Sequence, residues 1–263
     1  MKLFGYNELP DSIAAQIDAV AEVWKKRLGG DLAGIYLHGS IALGAFCPDS
    51  GDIDLLVVTR RGLSADERLA IAKEIISLDN HPRPLEMSAV RVDDLGKPGD
   101  VVCVFHYSGY WTGRYLARFD NPGTECYVVD NDFPDPDIKS YIKLIKQCGI
   151  VLFGEPVDIF PDVSDEELWA AISADVDEYD FHAYEPRYLA SNILILGRIL
   201  SFRCTRRILP KYDGGLWMIS HLPEDLKYLA ERAMRVWFEG AEADFPEDEL
   251  ERLRKFLIKE ITE

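Results

Sequence analysis

The stretch HGSIALGAFCPDSGDIDLLVVT, residues 38–59, decides the fold of this 263-residue chain. An apolar, β-favouring run at residues 32–37 leads into it, and a second apolar run at residues 53–58 closes it. These runs predict two strands joined by a tight glycine turn, a short helix and a loop. Gly39 permits close approach of the backbone to a ligand, and Ser40 adds a hydroxyl beside backbone N–H groups that open a helix. The turn therefore predicts a phosphate-binding site.

Two acidic residues stand at the head of the second predicted strand. Asp52 and Asp54 lie two positions apart, so both carboxylates project from one face of the sheet. Two carboxylates on a rigid strand suit Mg²⁺, a hard cation that prefers oxygen ligands, opposite the phosphate site. The alternative is that both residues simply end a strand at a solvated loop. The glycine turn and the flanking strands favour the metal site.

A third carboxylate comes from the next predicted strand, residues 85–92. Glu86 shares one face of this strand with Ser88 and Val90. Beside the aspartate pair it could act as a general base toward an attacking hydroxyl, or it could complete the metal site. An exposed glutamate on an edge strand explains the same periodicity, and the residues alone leave these interpretations open.

Composition and charge limit the class of protein. The formal charge of -17 disfavours a non-specific nucleic-acid binder, which needs a basic face. The charge suits a cationic substrate, although by itself it is better explained by plain solubility and gains weight only beside an active site. The five cysteines are scattered, which favours reduced thiols in a cytoplasmic protein over a zinc site. No apolar run approaches the roughly 20 residues that a membrane-spanning helix needs.

The order of the predicted elements divides the chain into two domains. Residues 1–156 carry every predicted strand, and we expect an α/β (α+β) domain with a small mixed sheet, closed by a turn at residues 150–156. Residues 157–263 carry only helical patterns and predict an all-α bundle of about five helices. Helix starts are predicted at capping residues or prolines: Ser64, Ser164, Pro186, Pro223 and Pro246.

The connection from Val101 to Asp130 is irregular and rich in aromatic residues. Aromatic clusters usually fill core space, but spread through a long connection they can also line a ligand cleft. Trp111 is the candidate ligand contact if the cleft interpretation holds.

Two blocks of sequence carry a family resemblance. The first is Gly-Ser followed within about a dozen residues by Asp-x-Asp on an apolar strand. The second comprises NILILGRIL (residues 192–200), LPKYDGGLW (residues 209–217) and HLP (residues 221–223). The first block resembles the nucleotidyltransferase superfamily of the polymerase-β type. Together the two blocks resemble the aminoglycoside (streptomycin/spectinomycin) adenylyltransferases.

The resemblance implies a nucleotidyltransferase domain paired with a helical domain, and the transfer of AMP from Mg-ATP to a drug hydroxyl. Asp52 and Asp54 would hold two Mg²⁺ ions that bridge the ATP phosphates. Gly39 and Ser40 would bind the triphosphate. Glu86 would deprotonate the drug hydroxyl.

The resemblance also assigns residues of the helical domain. Arg198 and Lys211 match the family's triphosphate contacts, whereas without it they would be a surface arginine and a loop lysine. Trp111 lies near the family's substrate-cleft tryptophan. The drug-binding segment, residues 175–188, departs from the streptomycin-modifying members, which place a tryptophan and an aspartate in it. This chain has instead Tyr179, Asp180, His182, Tyr184 and Glu185.

Acidic and aromatic groups still suit a cationic sugar, and we expect Tyr179 and Glu185 to contact it. We therefore expect a monomeric cytoplasmic enzyme that modifies spectinomycin or streptomycin with ATP and binds neither nucleic acid nor membrane. One alternative is a nucleotidyltransferase with another acceptor, such as a lincosamide or other small hydroxyl compound, which the altered segment permits. The other is a non-catalytic nucleotide-binding regulator or antitoxin-like protein, against which the intact trio of Asp52, Asp54 and Glu86 counts.

Overall fold

The chain forms two compact units. The computed structural model describes residues 2–97, 99–174, 176–179, 181 and 185–263. Contacts group residues 3–163 into one unit and residues 164–263, together with Lys2, into the other. Residues 157–163, which the sequence analysis places in the helical domain, lie in the first unit by these contacts. There Phe160 meets Tyr36 edge-on, with ring centroids 4.7 Å apart.

The N-terminal unit is built on a mixed sheet, which in the described part of the chain has six strands in the order β5-β4-β3-β2-β1-β6. The strands are β1 (Leu32–Leu37), β2 (Ile53–Thr59), β3 (Leu85–Arg91), β4 (Val101–Tyr107), β5 (Phe133–Asp135) and β6 (Ile150–Gly154). β2 and β3 pair in parallel, and the other neighbours pair antiparallel. The predicted mixed sheet is confirmed.

Helices cover both faces of this sheet. They are α1 (Asp11–Leu28), α2 (Gly39–Ala42), α3 (Ala65–Leu78), α4 (Thr112–Asp120), α5 (Tyr127–Asp130) and α6 (Asp137–Cys148). On one face α1 and α3 pack against the strands, and Trp24 is fully buried against Phe105. On the other face α6 buries Ile138, Ile142 and Ile145. Each such side chain contributes about 1.5–3 kcal/mol of hydrophobic free energy.

Two segments differ from expectation. Residues 150–156 do not form only a turn, because residues 150–154 are β6, paired with β1. The sequence IVLFG is uniformly apolar and short, so it has no alternating pattern, and only its pairing with β1 identifies it as a strand. The aromatic connection begins with β4. Phe105, Tyr107 and Tyr115 are fully buried, so this part of the aromatic cluster is core rather than cleft.

The second unit is helical. Its described residues form α7 (Asp165–Ser173), α8 (Pro186–Thr205), α9 (Lys211–His221), α10 (Lys227–Glu239) and α11 (Glu247–Thr262). α8 packs against the other four helices, and about half of its residues are buried. Ser164 and Glu167 form the predicted capping box of α7, and Pro186 lies in the first turn of α8 as predicted. Among the described residues, no helix is both long and apolar enough to cross a membrane.

Substitution of Gly154, at the end of β6, would measure how strongly the stability of this edge strand depends on close backbone packing. Gly154 has φ +88°, and a Cβ there would lie 2.1 Å from the carbonyl oxygen of Ala33. Gly99 has a similar φ of +90°, but apart from its chain neighbours no atom of the described residues lies within 4 Å of its Cβ position. We expect Gly99→Ala to cost about 1–2 kcal/mol through its backbone conformation alone. Gly154→Ala should cost about 1–3 kcal/mol more, because β1 must also move.

Urea unfolding of both variants and the wild type measures these losses. Equal free energies of unfolding for the two variants would contradict the close packing of β6 on β1.

Candidate active site

Three carboxylates converge where β2 and β3 begin. Because these strands are parallel and in register, Asp54 is the direct partner of Glu86. Asp52 lies just before β2 on the same side. One oxygen from each of the three carboxylates can be chosen so that all lie within 4.8 Å of one another, and each residue is half-buried. The structure thus brings together the three carboxylates that the sequence singled out.

Like charges at this separation repel, by about 1 kcal/mol per pair in water at 4 Å and more in a partly buried site. A divalent cation would offset this repulsion. The donor set is entirely carboxylate oxygen, which is what hard cations such as Mg²⁺ prefer. The chemistry of these residues therefore fits a divalent metal ion.

The glycine turn lies against the same carboxylates. The His38 N–H donates to the carbonyl oxygen of Asp54 at 3.0 Å, which ties the turn to β2. A Cβ at Gly39, where φ is +63°, would lie 1.7 Å from Oδ2 of Asp54, so only glycine leaves room for that carboxylate. Oγ of Ser40 is buried and has no hydrogen-bond partner among the described residues. A buried hydroxyl without a partner is costly, so it fits a position that a ligand oxygen completes.

Two aromatic rings form a neutral wall beside the carboxylates. The His38 ring stacks on Tyr141 of α6, with centroids 4.5 Å apart and planes 22° apart. Burial disfavours the charged imidazolium and lowers the pKa of His38 to about 3. Burial, with the negative charge of Glu86 next in size, raises the pKa of Tyr141 well above its usual value. Both rings are therefore neutral at neutral pH. Sequence reasoning missed Tyr141, since nothing in α6 marks one of its aromatic residues as a site residue.

Trp111 lies in a short turn after β4. Tyr107 of β4 pairs with Met87, the neighbour of Glu86, so this turn starts near the acidic end of the sheet. Trp111 is half-buried and meets the exposed Tyr110 edge-on at 5.3 Å. A third group, the guanidinium of Arg114, lies 5.1 Å from the Trp111 ring centroid.

The two predicted cations belong to the contact between α8 and α9 in the helical unit. Nε of Arg198 donates to the carbonyl oxygen of Leu209 at 2.9 Å. Lys211 is the first residue of α9. Its ammonium donates to Oγ of Ser191 at 3.1 Å and lies 3.7 Å from the ring centroid of Trp237. Both side chains are thus held at defined places within their unit.

The predicted substrate-contact segment is described in part. Tyr179 is half-buried against the helical core, and its carbonyl oxygen accepts from Nε of Arg254 at 3.2 Å. Glu185 is exposed, and its carboxylate caps α8 by accepting from the Tyr188 N–H at 3.0 Å. The substrate roles of both remain predictions. Three other residues of this segment lie outside the described residues: Asp180, His182 and Tyr184.

Known families and proteins resemble both halves of the chain. The sequence model of the aminoglycoside adenylyltransferase C-terminal domain matches residues 158–260, and that of the nucleotidyltransferase domain matches residues 17–105. A spectinomycin 9-adenylyltransferase of Campylobacter jejuni is 26% identical over 98% of this chain and 97% of its own length. An aminoglycoside (3'') (9) adenylyltransferase of Escherichia coli is 24% identical over 93% and 92%.

A solved structure shares the fold. It is a spectinomycin adenyltransferase of Enterococcus faecalis crystallised with ATP and spectinomycin. The match has a TM-score of 0.83 at 18% identity and covers 95% of this chain and 99% of that one.

The buried neutral His38 predicts a loss of stability in acid. Its pKa falls from 6.5 to about 3 on folding, so the unfolded chain binds a proton that the folded protein does not. The free energy of unfolding is therefore unaffected above pH 6.5 and declines as the pH falls toward 3. We expect His38→Gln to remove this part of the pH dependence, about 3 kcal/mol at pH 4. Urea unfolding of wild type and variant at pH 7, 5 and 4 measures it, and parallel curves would show that His38 is protonated in the folded protein.

Proposed function

Since this chain belongs to the aminoglycoside adenylyltransferase family of the nucleotidyltransferase superfamily, we propose that it transfers AMP from ATP to a hydroxyl of an aminocyclitol or aminoglycoside antibiotic. The observation that carries the proposal is the convergence of Asp52, Asp54 and Glu86 against the Gly39 turn. This arrangement combines a carboxylate metal site, space for a phosphate group and a candidate base at one end of a rigid sheet.

The proposed roles begin with the phosphates. Asp52 and Asp54 would hold two Mg²⁺ ions, which when bound neutralise phosphate charge and make the α-phosphorus more electrophilic. Gly39 leaves the backbone open to the triphosphate, and the unpartnered Ser40 hydroxyl donates a hydrogen bond to a phosphate oxygen. The His38 N–H, bonded to the Asp54 carbonyl, keeps the turn and the carboxylates in a fixed relation.

Glu86 is the proposed general base. Its carboxylate takes the proton of the acceptor hydroxyl as the acceptor oxygen forms a bond to the α-phosphorus of ATP. The bond from that phosphorus to the bridging oxygen breaks, and pyrophosphate leaves with the electron pair. Register supports the role, because β2 and β3 hold Glu86 directly beside Asp54 and thereby beside the reacting phosphate.

Charge that develops on the pyrophosphate needs positive groups. We assign the stabilisation of this charge to Arg198 and Lys211, which match the family's triphosphate contacts. A cation that contacts the leaving group stabilises the transition state, because negative charge builds up there. Trp111, Tyr179 and Glu185 are the proposed contacts of the acceptor. Aromatic faces and a carboxylate suit the ammonium groups of such antibiotics.

Spectinomycin is the favoured acceptor, because a relative over 98% of the chain carries its name and the similar solved structure was crystallised with it. Streptomycin is the second candidate, since residues 175–188 contain no tryptophan, whereas the streptomycin-modifying enzymes place a tryptophan and an aspartate in this segment. We place the reaction in the cytoplasm, where ATP is available and the five free cysteines stay reduced. A monomer contains every proposed site residue.

The proposed roles of Asp52, Asp54 and Glu86 can be tested by measuring pyrophosphate release from Mg-ATP. The acceptors to compare are spectinomycin, streptomycin, kanamycin, gentamicin and lincomycin. We expect release with one aminocyclitol or aminoglycoside. Glu86→Gln should lower kcat by about 10²–10⁴-fold, the usual contribution of a general base, and Asp54→Asn should lower it at least as much. Asp49→Asn, an exposed carboxylate in the loop before Asp52, is the matched control and should leave the rate unchanged.

Glu86→Gln turnover within a few fold of wild type would exclude Glu86 as the base. Pyrophosphate release with lincomycin alone would show that the acceptor is a lincosamide and not an aminoglycoside or aminocyclitol. ATP binding without release for any acceptor would favour the non-catalytic alternative.

The proposed contact of Trp111 with the acceptor predicts that its substitution changes the KM for the acceptor. If its ring contacts the acceptor, Trp111→Ala should raise the KM for the acceptor by about tenfold, since a cation–π contact contributes roughly 1–2 kcal/mol. The KM for ATP should stay within about twofold. Tyr127→Ala, an exposed aromatic residue of the same unit, is the control and should change neither constant. Equal rises in both KM values would mean that Trp111 supports the fold rather than the acceptor.

A further inference from the structure

Strand pairing alone does not determine the position of Asp52. Asp54 and Glu86 are partners in the β2–β3 ladder, but Asp52 lies outside β2. The nearest backbone bond between the two segments runs from the Ile53 N–H to the carbonyl oxygen of Pro84, at 2.9 Å. The peptide group that precedes Asp52 therefore needs another contact to hold its direction.

Arg83 makes that contact. Its Nε donates to the carbonyl oxygen of Gly51 at 2.8 Å. This carbonyl belongs to the planar peptide group whose nitrogen is that of Asp52, so the bond sets the direction in which the chain enters Asp52. Gly51 is also confined from its other side. A Cβ there would lie 2.7 Å from the Phe46 ring, and its N–H donates to the carbonyl oxygen of Cys47 at 2.7 Å.

The backbone of Arg83 is itself fixed by α1. Gln16, which is only 3% exposed, accepts from the Arg83 N–H at 3.0 Å and donates to the Arg83 carbonyl oxygen at 2.7 Å. The same carbonyl accepts from the Asn80 N–H at 2.9 Å. Pro82 and Pro84 on either side restrict φ. The guanidinium thus extends toward Gly51 from an anchored main chain.

We propose that Arg83 is a positioning residue for the carboxylate of Asp52. It joins the segment that leads into β3, and hence Glu86, to the segment that leads into β2. The inference rests on the proposed function in one respect, the assignment of Asp52 to the metal. Loss of the hydrogen bond from Arg83 to the Gly51 carbonyl leaves Asp54 and Glu86 in register but no longer holds Asp52 in position. The affinity for the metal ion therefore falls without being abolished.

The direct test is the binding of Mn²⁺ alone to the full-length protein, followed by the electron paramagnetic resonance signal of the free ion. Arg83→Met removes the donor at similar length. We expect it to raise the Kd for Mn²⁺ about tenfold, the lower end of what loss of an outer contact to a metal ligand costs. Arg83→Lys keeps a donor and should recover part of the affinity. The Mg²⁺ concentration for half-maximal pyrophosphate release should rise in parallel, with the KM for the acceptor unchanged.

Arg60→Met is the matched control. Arg60 directly follows the far end of β2, and its guanidinium pairs with Glu155 at 2.9 Å on the surface. The same substitution there should leave the Kd for Mn²⁺ unchanged. Thermal unfolding of every variant separates loss of metal affinity from loss of fold. If Arg83→Met does not fold, Arg83→Gln, whose shorter amide does not reach Gly51, takes its place in the same comparison.

The outcomes separate this inference from the proposed function. Wild-type affinity in a folded Arg83→Met or Arg83→Gln variant, together with lost binding in Asp52→Asn, would overturn the role of Arg83 and leave the metal site standing. No Mn²⁺ binding by the wild type would overturn the metal assignment and this inference with it.

Discussion

The parallel, in-register pairing of β2 and β3 is the constraint on which the candidate site depends. It places Asp54 directly beside Glu86 through the pairing of the two backbones. Two parallel strands must be joined by a crossover connection, which is usually a helix. Here α3 lies between β2 and β3 in the chain and packs on one face of the sheet. The carboxylates lie on the other face of the sheet, which α6 covers in part. The hydrophobic layers therefore serve the site by holding two polypeptide segments at a fixed spacing.

The His38–Tyr141 pair contributes no charge beside the carboxylates. His38 and Tyr141 are buried and stacked, and burial keeps each ring in its neutral form. A protonated imidazole at this place would neutralise one carboxylate and weaken the attraction of the site for a cation. The stacked rings therefore shape this side of the site without adding a positive charge to it.

The sequence predicted the parts of this protein that depend on local chemistry. The Gly39–Ser40 turn and the Asp52/Asp54 pair follow from residue types at short spacing, and the structure brings them together. Glu86 could be assigned a face but not a neighbour, because parallel pairing joins residues that are distant in sequence. The same limit hid the stack of Tyr141 on His38. β6 was missed because a short, wholly apolar run carries no period, and its identity as a strand comes from β1.

The contact between Gly39 and Asp54 also bears on how this protein can change over generations. Any larger residue at position 39 collides with the Asp54 carboxylate, and any residue at position 54 small enough to relieve the collision removes an acidic ligand. The two positions are therefore epistatic, and neither can drift alone while the other keeps its present role. A lineage that lost activity by changing position 54 could then accept a side chain at 39 without further harm. After both changes, a reversion at position 54 alone would no longer restore the site, because the new side chain at position 39 would collide with the aspartate. Loss of activity by this route is therefore difficult to reverse.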